Sequence, residues 1–214
     1  MNTHWCPLCL VSNNLDLQSQ VKSACNELRV REFHHWSSLE QVQPAAVPLA
    51  RIILLDFESS RPLSSLETDL IQAVHAKPRD VVVGIGESYP GSTIAQWMKM
   101  GMRGYVDKPV NQDSLATAIL NANEDCIQLR AAQSEYRLLQ MQRTSITTRE
   151  EEVLQLVVQG VPNKCIATRL DVSQRTIETR RQKIYRKMNA NRLVDLIKSL
   201  EKLDSLSNLL STNH

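Results

Sequence analysis

Two groups of residues in this 214-residue chain have the types and spacing to do chemistry. The first is a run of cations. Between Ser173 and Arg192 stand seven Lys or Arg (Arg175, Arg180, Arg181, Lys183, Arg186, Lys187, Arg192) against one acid, Glu178. Positive charge focused on one short segment is what the phosphate backbone of DNA attracts. The second group is Asp56, which follows the apolar run Ile52-Ile53-Leu54-Leu55, and Lys108, which follows Tyr105-Val106-Asp107 and precedes Pro109. A carboxylate and an amine at the ends of two buried runs can meet as an ion pair or share a ligand site. The five cysteines are Cys6, Cys9, Cys25, Cys126 and Cys165. Cys6-Pro-Leu-Cys9 has a zinc or redox spacing, but no second pair follows and it falls where a first strand begins, so ordinary strand residues are expected. His4, His34 and His35 are expected in surface or loop positions. Cys165 is expected to pack or lie at the surface of a short helix.

The elements that must position the basic run can be drawn from their caps. Thr147 with Glu150 three residues on has capping-box spacing, and Glu150, Glu151 and Glu152 sit where the helix dipole favours acids. Val153, Leu154, Val157 and Val158 form an inward face, and Gly160 ends the helix. Pro162 and Asn163 start a second helix with Ile166, Ala167 and Leu170 inward. Asp171-Val172-Ser173 is a tight turn, and Ser173 caps a third helix with Ile177, Ile184 and Met188 inward. Leu193, Leu196 and Ile197 anchor a fourth. Two short helices across a three-residue turn form a helix-turn-helix, whose second helix enters the major groove. Glu178, Thr179 and Gln182 then face outward, flanked by Arg180, Arg181, Lys183 and Arg186.

Residues 5–130 read differently. Strand candidates are Leu8–Val11, Val30–Phe33, Arg51–Leu55, Val81–Ile85 and Gly104–Val106, separated by helical stretches such as Asp16–Leu28 and Ser92–Met100. Such alternation predicts a parallel sheet covered on both faces, with ligand chemistry at the carboxyl ends of its strands. From Asp113 to about Gln142 runs one long helix, with an apolar stripe of Leu115, Ile119, Ala122, Cys126, Leu129, Tyr136 and Leu139.

Thr147-Thr148-Arg149-Glu150, Val153-Leu154, Gly160, Asn163-Lys164, Ile166-Ala167, Leu170, Ser173, Thr176-Ile177-Glu178 and Lys187-Met188 resemble the LuxR-type DNA-binding domain, and the wording is nearest its FixJ-like branch. The resemblance implies base reading by Glu178, Thr179 and Gln182. It implies phosphate contacts by Lys164, Arg175, Thr176, Arg181 and Lys183. Arg180 stands where the family often has His. Asp56, Tyr105 and Lys108-Pro109, in that order, resemble the receiver domain of response regulators. That implies a flavodoxin-like α/β fold with a five-stranded parallel sheet, Asp56 as phosphoacceptor, Lys108 as its lysine and Tyr105 as an aromatic switch. The implied architecture is a receiver over residues 1–125, a linker helix over 126–144, and a four-helix DNA-binding domain over 145–214 with an extended last helix.

Departures from the receiver pattern matter more than the matches. The family places paired acids after the first strand to hold Mg²⁺, whereas Leu10-Val11 is followed here by Ser12-Asn13-Asn14. Hard dications want anionic oxygens, so no cofactor is expected. The family's hydroxyl residue at the end of the fourth strand falls on Gly86, or on Ile85 one register away. Phosphoryl transfer depends on positioned charge, so a transcriptional regulator controlled without Mg²⁺-dependent phosphorylation is expected. A conventional response regulator phosphorylated on Asp56 is the alternative, and an adaptor whose helix-turn-helix binds protein is a further one.

Charge divides unevenly: residues 146–214 hold 12 Lys/Arg and 8 Asp/Glu. Double-stranded DNA is therefore the expected partner of the second half, and a sensor kinase or another protein that of the first. Leu196, Leu200, Leu203, Leu206 and Leu210 recur near a heptad spacing, which predicts a homodimer seam through Leu196, Leu200 and Leu203. No catalytic triad, metal-ligand cluster or Gly-rich phosphate loop is visible, so no enzyme is expected. No signal peptide or apolar run of membrane length is visible either, and the expected location is the cytoplasm, at the bacterial nucleoid.

Overall fold

The computed structural model describes residues 5–42, 50–58, 60–75 and 80–211. His4 and the tail beyond Ser211 lie outside them. The chain forms two compact units, with the boundary between Ala131 and Ala132.

Five strands carry the first unit: β1 (Leu8–Val11), β2 (Phe33–Trp36), β3 (Ile52–Phe57), β4 (Val81–Gly86) and β5 (Gly104–Asp107). All pair in parallel, in the order β2-β1-β3-β4-β5, the flavodoxin-like order. Helices α1 (Leu15–Leu28), α2 (Leu63–His75), α3 (Gly91–Lys99) and the start of α4 (Gln112–Thr144) complete the unit. Every residue of β1, β3 and β4 is buried, as a sheet covered on both faces requires. The faces alternate along each strand. Leu8, Leu10, Ile52, Leu54, Val83 and Ile85 pack on one side, with Leu115, Ile119, Ala122 and Cys126 of α4. Cys9, Val11, Ile53, Leu55 and Phe57 pack on the other, with Leu66, Leu70 and Trp97. Cys6 and Cys9 thus lie on opposite sides of the sheet and cannot share a metal.

Strand β2 begins three residues later than the apolar pattern suggests. Arg29 adopts a left-handed conformation (φ 59°), and Val30 N–H donates to the Cys25 carbonyl at 2.8 Å. That closure spends Val30 on the end of α1, so pairing with Leu8 starts at Phe33. Strand β3 also runs further than the apolar run, so Asp56 lies inside it rather than after it. Cys126 is fully buried in the first unit's core, so that core reaches past residue 125.

The second unit contains α5 (Thr148–Val158), α6 (Asn163–Arg169), α7 (Gln174–Lys187) and α8 (Leu193–Ser211). Gly160 has φ 76°, and Ser173 Oγ accepts from Thr176 N–H at 3.1 Å, each at its helix end. Val153, Leu154, Ile166, Ile177, Ile184, Met188 and Leu196 form the core. Leu196 is fully buried and Leu200 packs partly buried against the same core, so Leu196 belongs to the core rather than to an exposed seam. The physical reason is that α8 must cover the apolar side left open by three short helices, and a spacing of three and four serves that cover as well as it serves a second copy.

One ion pair closes this unit. Glu150 accepts from Thr147 N–H at 2.8 Å and from Lys187 Nζ at 2.5 Å, tying the start of α5 to the end of α7. Burial raises the Glu150 pKa, but the hydrogen bonds from Lys187 and Thr147 outweigh it and lower it from 4.5 to about 2. A depressed folded value means the contribution is present above the unfolded pKa and is lost as pH falls through the folded one. Glu150→Gln should therefore destabilise the protein by about 1–3 kcal/mol at neutral pH. The deficit should shrink between pH 4.5 and about 2. Urea unfolding of both proteins across that range, followed by circular dichroism, measures it.

Candidate functional sites at the sheet switch point and on helix α7

The order of strands reverses between β1 and β3, so a crevice opens at their carboxyl ends. Ser12 follows β1 there, and the register sets Val11 beside Leu55, the residue before Asp56. Ser12 Oγ donates to Asp56 Oδ2 at 2.5 Å, and Lys108 Nζ donates to Asp56 Oδ1 at 2.5 Å. The Asp56 side chain is 1% exposed and that of Lys108 18%. A carboxylate so enclosed needs a partner for each oxygen, and here it has both. The Lys108–Pro109 peptide is cis. Ser12 Oγ also accepts from Asn14 N–H at 2.9 Å, and the Ser12 carbonyl meets His35 Nε2 at 2.8 Å. Asn14 caps α1 through bonds from Asp16 N–H and Leu17 N–H. The Ser12-Asn13-Asn14 run thus supplies a partner for Asp56 and a helix cap. Ser12, Asn13 and Asp56 line a cavity of about 370 Å³ together with Glu40, Glu58 and Arg61.

A divalent metal at this place would need several anionic oxygens. Ser12 and Asn13 bring a hydroxyl and an amide, and both Asp56 oxygens are engaged. Among the described residues no three His, Cys, Asp or Glu side chains converge to hold a metal ion. The residues present do not fit a Mg²⁺ site.

Gly86, at the end of β4, is occupied in another sense. A Cβ there would lie 2.4 Å from the Tyr105 hydroxyl and 2.9 Å from Phe57 Cβ. A Cβ on Gly84 would lie 2.8 Å from the Tyr105 ring. The two glycines make the slot that the phenol fills. Tyr105 O–H donates to the Glu87 carbonyl at 2.8 Å, and the ring packs near Phe57, Tyr89 and Trp97. Burial pushes the Tyr105 pKa up, helped by Tyr89 and nearby acids. The sequence registered Gly86 only as a missing hydroxyl; its role as the floor of the Tyr105 slot depends on neighbours it could not place.

In the second unit, tertiary structure sorts the seven cations of the basic run. Lys187 is bound to Glu150 and to the Ser145 carbonyl. Arg181 donates to Asn163 Oδ1 at 2.6 Å and Tyr185 Oη at 2.9 Å, and its guanidinium lies 5.7 Å from the Tyr185 ring centre. These two hold α7 to α5 and α6. Arg192 lies 3.7 Å from Asp195 at the start of α8. Arg175, Arg180, Lys183 and Arg186 pair with no acid among the described residues. Arg175, Lys183 and Arg186 are exposed, as is Lys164 on α6, while Arg180 and Thr176 are half-buried. Glu178, Thr179 and Gln182 are exposed on α7, opposite the buried Ile177 and Ile184. Sequence reasoning missed the Arg51–Asp80 pair, which is buried at the other end of the sheet at 2.8 Å. Its one signal was an opposite charge directly before each of two apolar runs.

Residues 144–200 match the bacterial regulatory proteins of the luxR family. The chain is 33% identical over 121 residues to the transcriptional regulatory protein FixJ of Rhizobium meliloti, covering 56% of this chain and 58% of that protein. It is 33% identical over 110 residues to the response regulator protein TmoT of Ectopseudomonas mendocina, covering 51% and 50%. The chain spans about half the length of the curated relatives it matches. The fold is that of the response regulator StyR, with a TM-score of 0.69 at 23% identity over 93% of this chain and 100% of that one. Residues 144–200 thus match the luxR-family domain, and the five-stranded first unit is part of a fold shared with StyR.

Gly86→Ser should evict Tyr105 from its slot at a cost on the order of 1–3 kcal/mol. One of the four tyrosines should then titrate at lower pH, because its phenol regains water. Absorbance at alkaline pH, compared between the two proteins, reads the change.

Proposed function

We propose that this chain, built as a NarL/FixJ-type response regulator, is a DNA-binding transcriptional regulator whose receiver operates without Mg²⁺-dependent phosphorylation of Asp56. The carrying observation is that both Asp56 oxygens are held, by Ser12 and by Lys108. A phosphoryl group would have to displace Ser12, and the Ser12-Asn13-Asn14 run after β1 offers no carboxylate to hold a metal for it. In such transfers positioning and charge stabilisation supply nearly all the catalysis. A protein partner at the receiver, a sensor kinase or another, is then read through contact rather than through a phosphoryl group.

DNA is bound by α7 in the major groove. Glu178, Thr179 and Gln182 face base edges, while Lys164, Arg175, Thr176, Arg180, Lys183 and Arg186 face phosphates. Arg181 positions α7 against Asn163 and turns what remains of its fork toward the backbone. Two copies on paired half-sites are the assembly that suits a helix-turn-helix. The receiver's position in the cell follows from its DNA, at the nucleoid.

Two outcomes test the reading. Lys183→Ala with Arg186→Ala should weaken binding to every DNA sequence and flatten the salt dependence by about one unit per lost phosphate contact. Gln182→Ala should instead relax preference at one base pair, by about 1–3 kcal/mol. Electrophoretic shifts over a salt series separate the two, and an unchanged slope in the double variant rejects the DNA-binding face.

The receiver is tested with acetyl phosphate and Mg²⁺ on the unaltered protein. No stable label should form on Asp56, and Asp56→Asn should leave operator affinity nearly unchanged. Stoichiometric labelling with a tenfold gain in DNA affinity, about 1.4 kcal/mol, would overturn the reading in favour of conventional phosphorylation.

A further inference from the structure

At the amino-terminal end of the sheet, opposite Asp56, lies a second group of reactive side chains that the DNA-binding reading does not use. Cys6, just before β1, and Cys126, in α4, are buried in the same core at 2% and 0% exposure. They come from segments far apart in sequence yet converge closely. Cys6 N–H donates to Asn123 Oδ1 at 2.9 Å, which seats the chain one turn of α4 from Cys126. Cys126 Sγ donates to the Ala50 carbonyl at 3.4 Å. Asn123 and Cys126 are one helical turn apart, so the bond that seats Cys6 on Asn123 brings it beside Cys126 in the same core, and the charge of the half-buried Arg130 favours the Cys6 thiolate. Cys6 is flanked by half-buried Trp5 and Pro7. Cys25, in the same core, has no such company, and burial pushes its thiol up to about 11.

We propose that Cys6 and Cys126 form a redox-active dithiol, oxidised by hydroperoxides to a disulfide that staples the entry of β1 to α4. The chemistry divides the roles. The neighbouring Cys126 side chain, opposed by burial and aided by Arg130, lowers the Cys6 pKa to about 7. The bond to Cys6 and burial push the Cys126 thiol up. Cys6 is thus the nucleophile and Cys126 the resolving thiol, since thiolates rather than thiols attack. Cys6 thiolate attacks the peroxide, forming an S–O bond as the O–O bond breaks, and the leaving hydroxide takes a proton to become water. Cys126 then passes its proton to the departing hydroxyl as its sulfur attacks the Cys6 sulfenic acid. The S–S bond forms, the S–O bond breaks, hydroxide leaves, and the Cys126 proton makes a second water. Two thiols and one hydroperoxide become one disulfide and two waters, or water and an alcohol from an organic hydroperoxide. The site differs from the Cys6-Pro-Leu-Cys9 spacing, whose two sulfurs face opposite sides of the sheet.

The test uses the full chain with the exposed thiol removed as Cys165→Ser, so that copies cannot cross-link through it. After hydrogen peroxide, free thiols are alkylated and the protein is digested without reductant. The expected product is a peptide pair joined through Cys6 and Cys126, with Cys9 and Cys25 alkylated, and dithiothreitol restores both thiols. In Cys126→Ser the reaction should stop at a Cys6 sulfenic acid that a 1,3-dione traps. Recovery of Cys6 and Cys126 fully alkylated after peroxide would overturn the proposal. So would cross-linking of Cys9 or Cys25 in their place. Neither outcome bears on DNA binding, so this assignment and the regulatory reading fail separately.

Discussion

A carboxylate with 1% exposure governs the first unit. Asp56 sits where three segments end, and its charge can remain there only if both oxygens are met. Ser12 arrives from β1 and Lys108 from beyond β5, so the ion pair ties opposite parts of the sheet through one group. The parallel order makes this possible. The reversal between β1 and β3 brings the end of β1 beside Asp56. Placement of Lys108 depends on β5 pairing with β4, where Gly86 stands opposite Asp107. Lys108 N–H then donates to the Gly86 carbonyl at 2.7 Å, fixing the backbone from which the amine reaches.

The same neighbourhood explains the glycines of β4. Tyr105 lies over Gly84 and Gly86 because neither presents a side chain. A hydroxyl residue at Gly86 and an inward Tyr105 exclude one another sterically. The absence of a phosphate-binding hydroxyl and the half-buried aromatic ring are thus one packing decision. Phe57, Tyr89 and Trp97 lie around the ring, and Trp97 meets Phe57 and Tyr89 edge to face.

In the second unit a comparable anchor divides structural from available charge. Glu150 holds Lys187, and Asn163 with Tyr185 holds Arg181, so α7 is fastened at its end and near its middle. What remains along its outer side is a polar row of Glu178, Thr179 and Gln182 with cations beside it. Rigid attachment would serve the base reading proposed for α7, because contacts to bases require placement that a loosely held helix would lose.

Local rules settled much of this in advance. Caps at Thr147 and Ser173, the left-handed Gly160 and the stripe Ile177, Ile184, Met188 are near-neighbour effects, and a linear sequence carries them. The apolar runs of β1, β3 and β4 announce a sheet buried on both faces, and the order of elements announces its parallel winding. Other matters depend on which segments meet, and those were decided only by the tertiary structure. The spacing of Leu196 and Leu200 suits an intermolecular seam and an internal core equally, and packing assigned Leu196 to the core. Seven cations looked alike until Glu150, Asn163 and Tyr185 claimed two of them. Ser12 read as a missing acid and became the partner of Asp56, 44 residues away. Cys6 and Cys9 were expected as ordinary strand residues, and strand alternation set them on opposite faces while the fold placed Cys126 of α4 in the same core as Cys6. Periodicity and capping are properties of a few consecutive residues, so the sequence determined the elements. Pairing of side chains depends on distances through space, so only the fold could determine the sites.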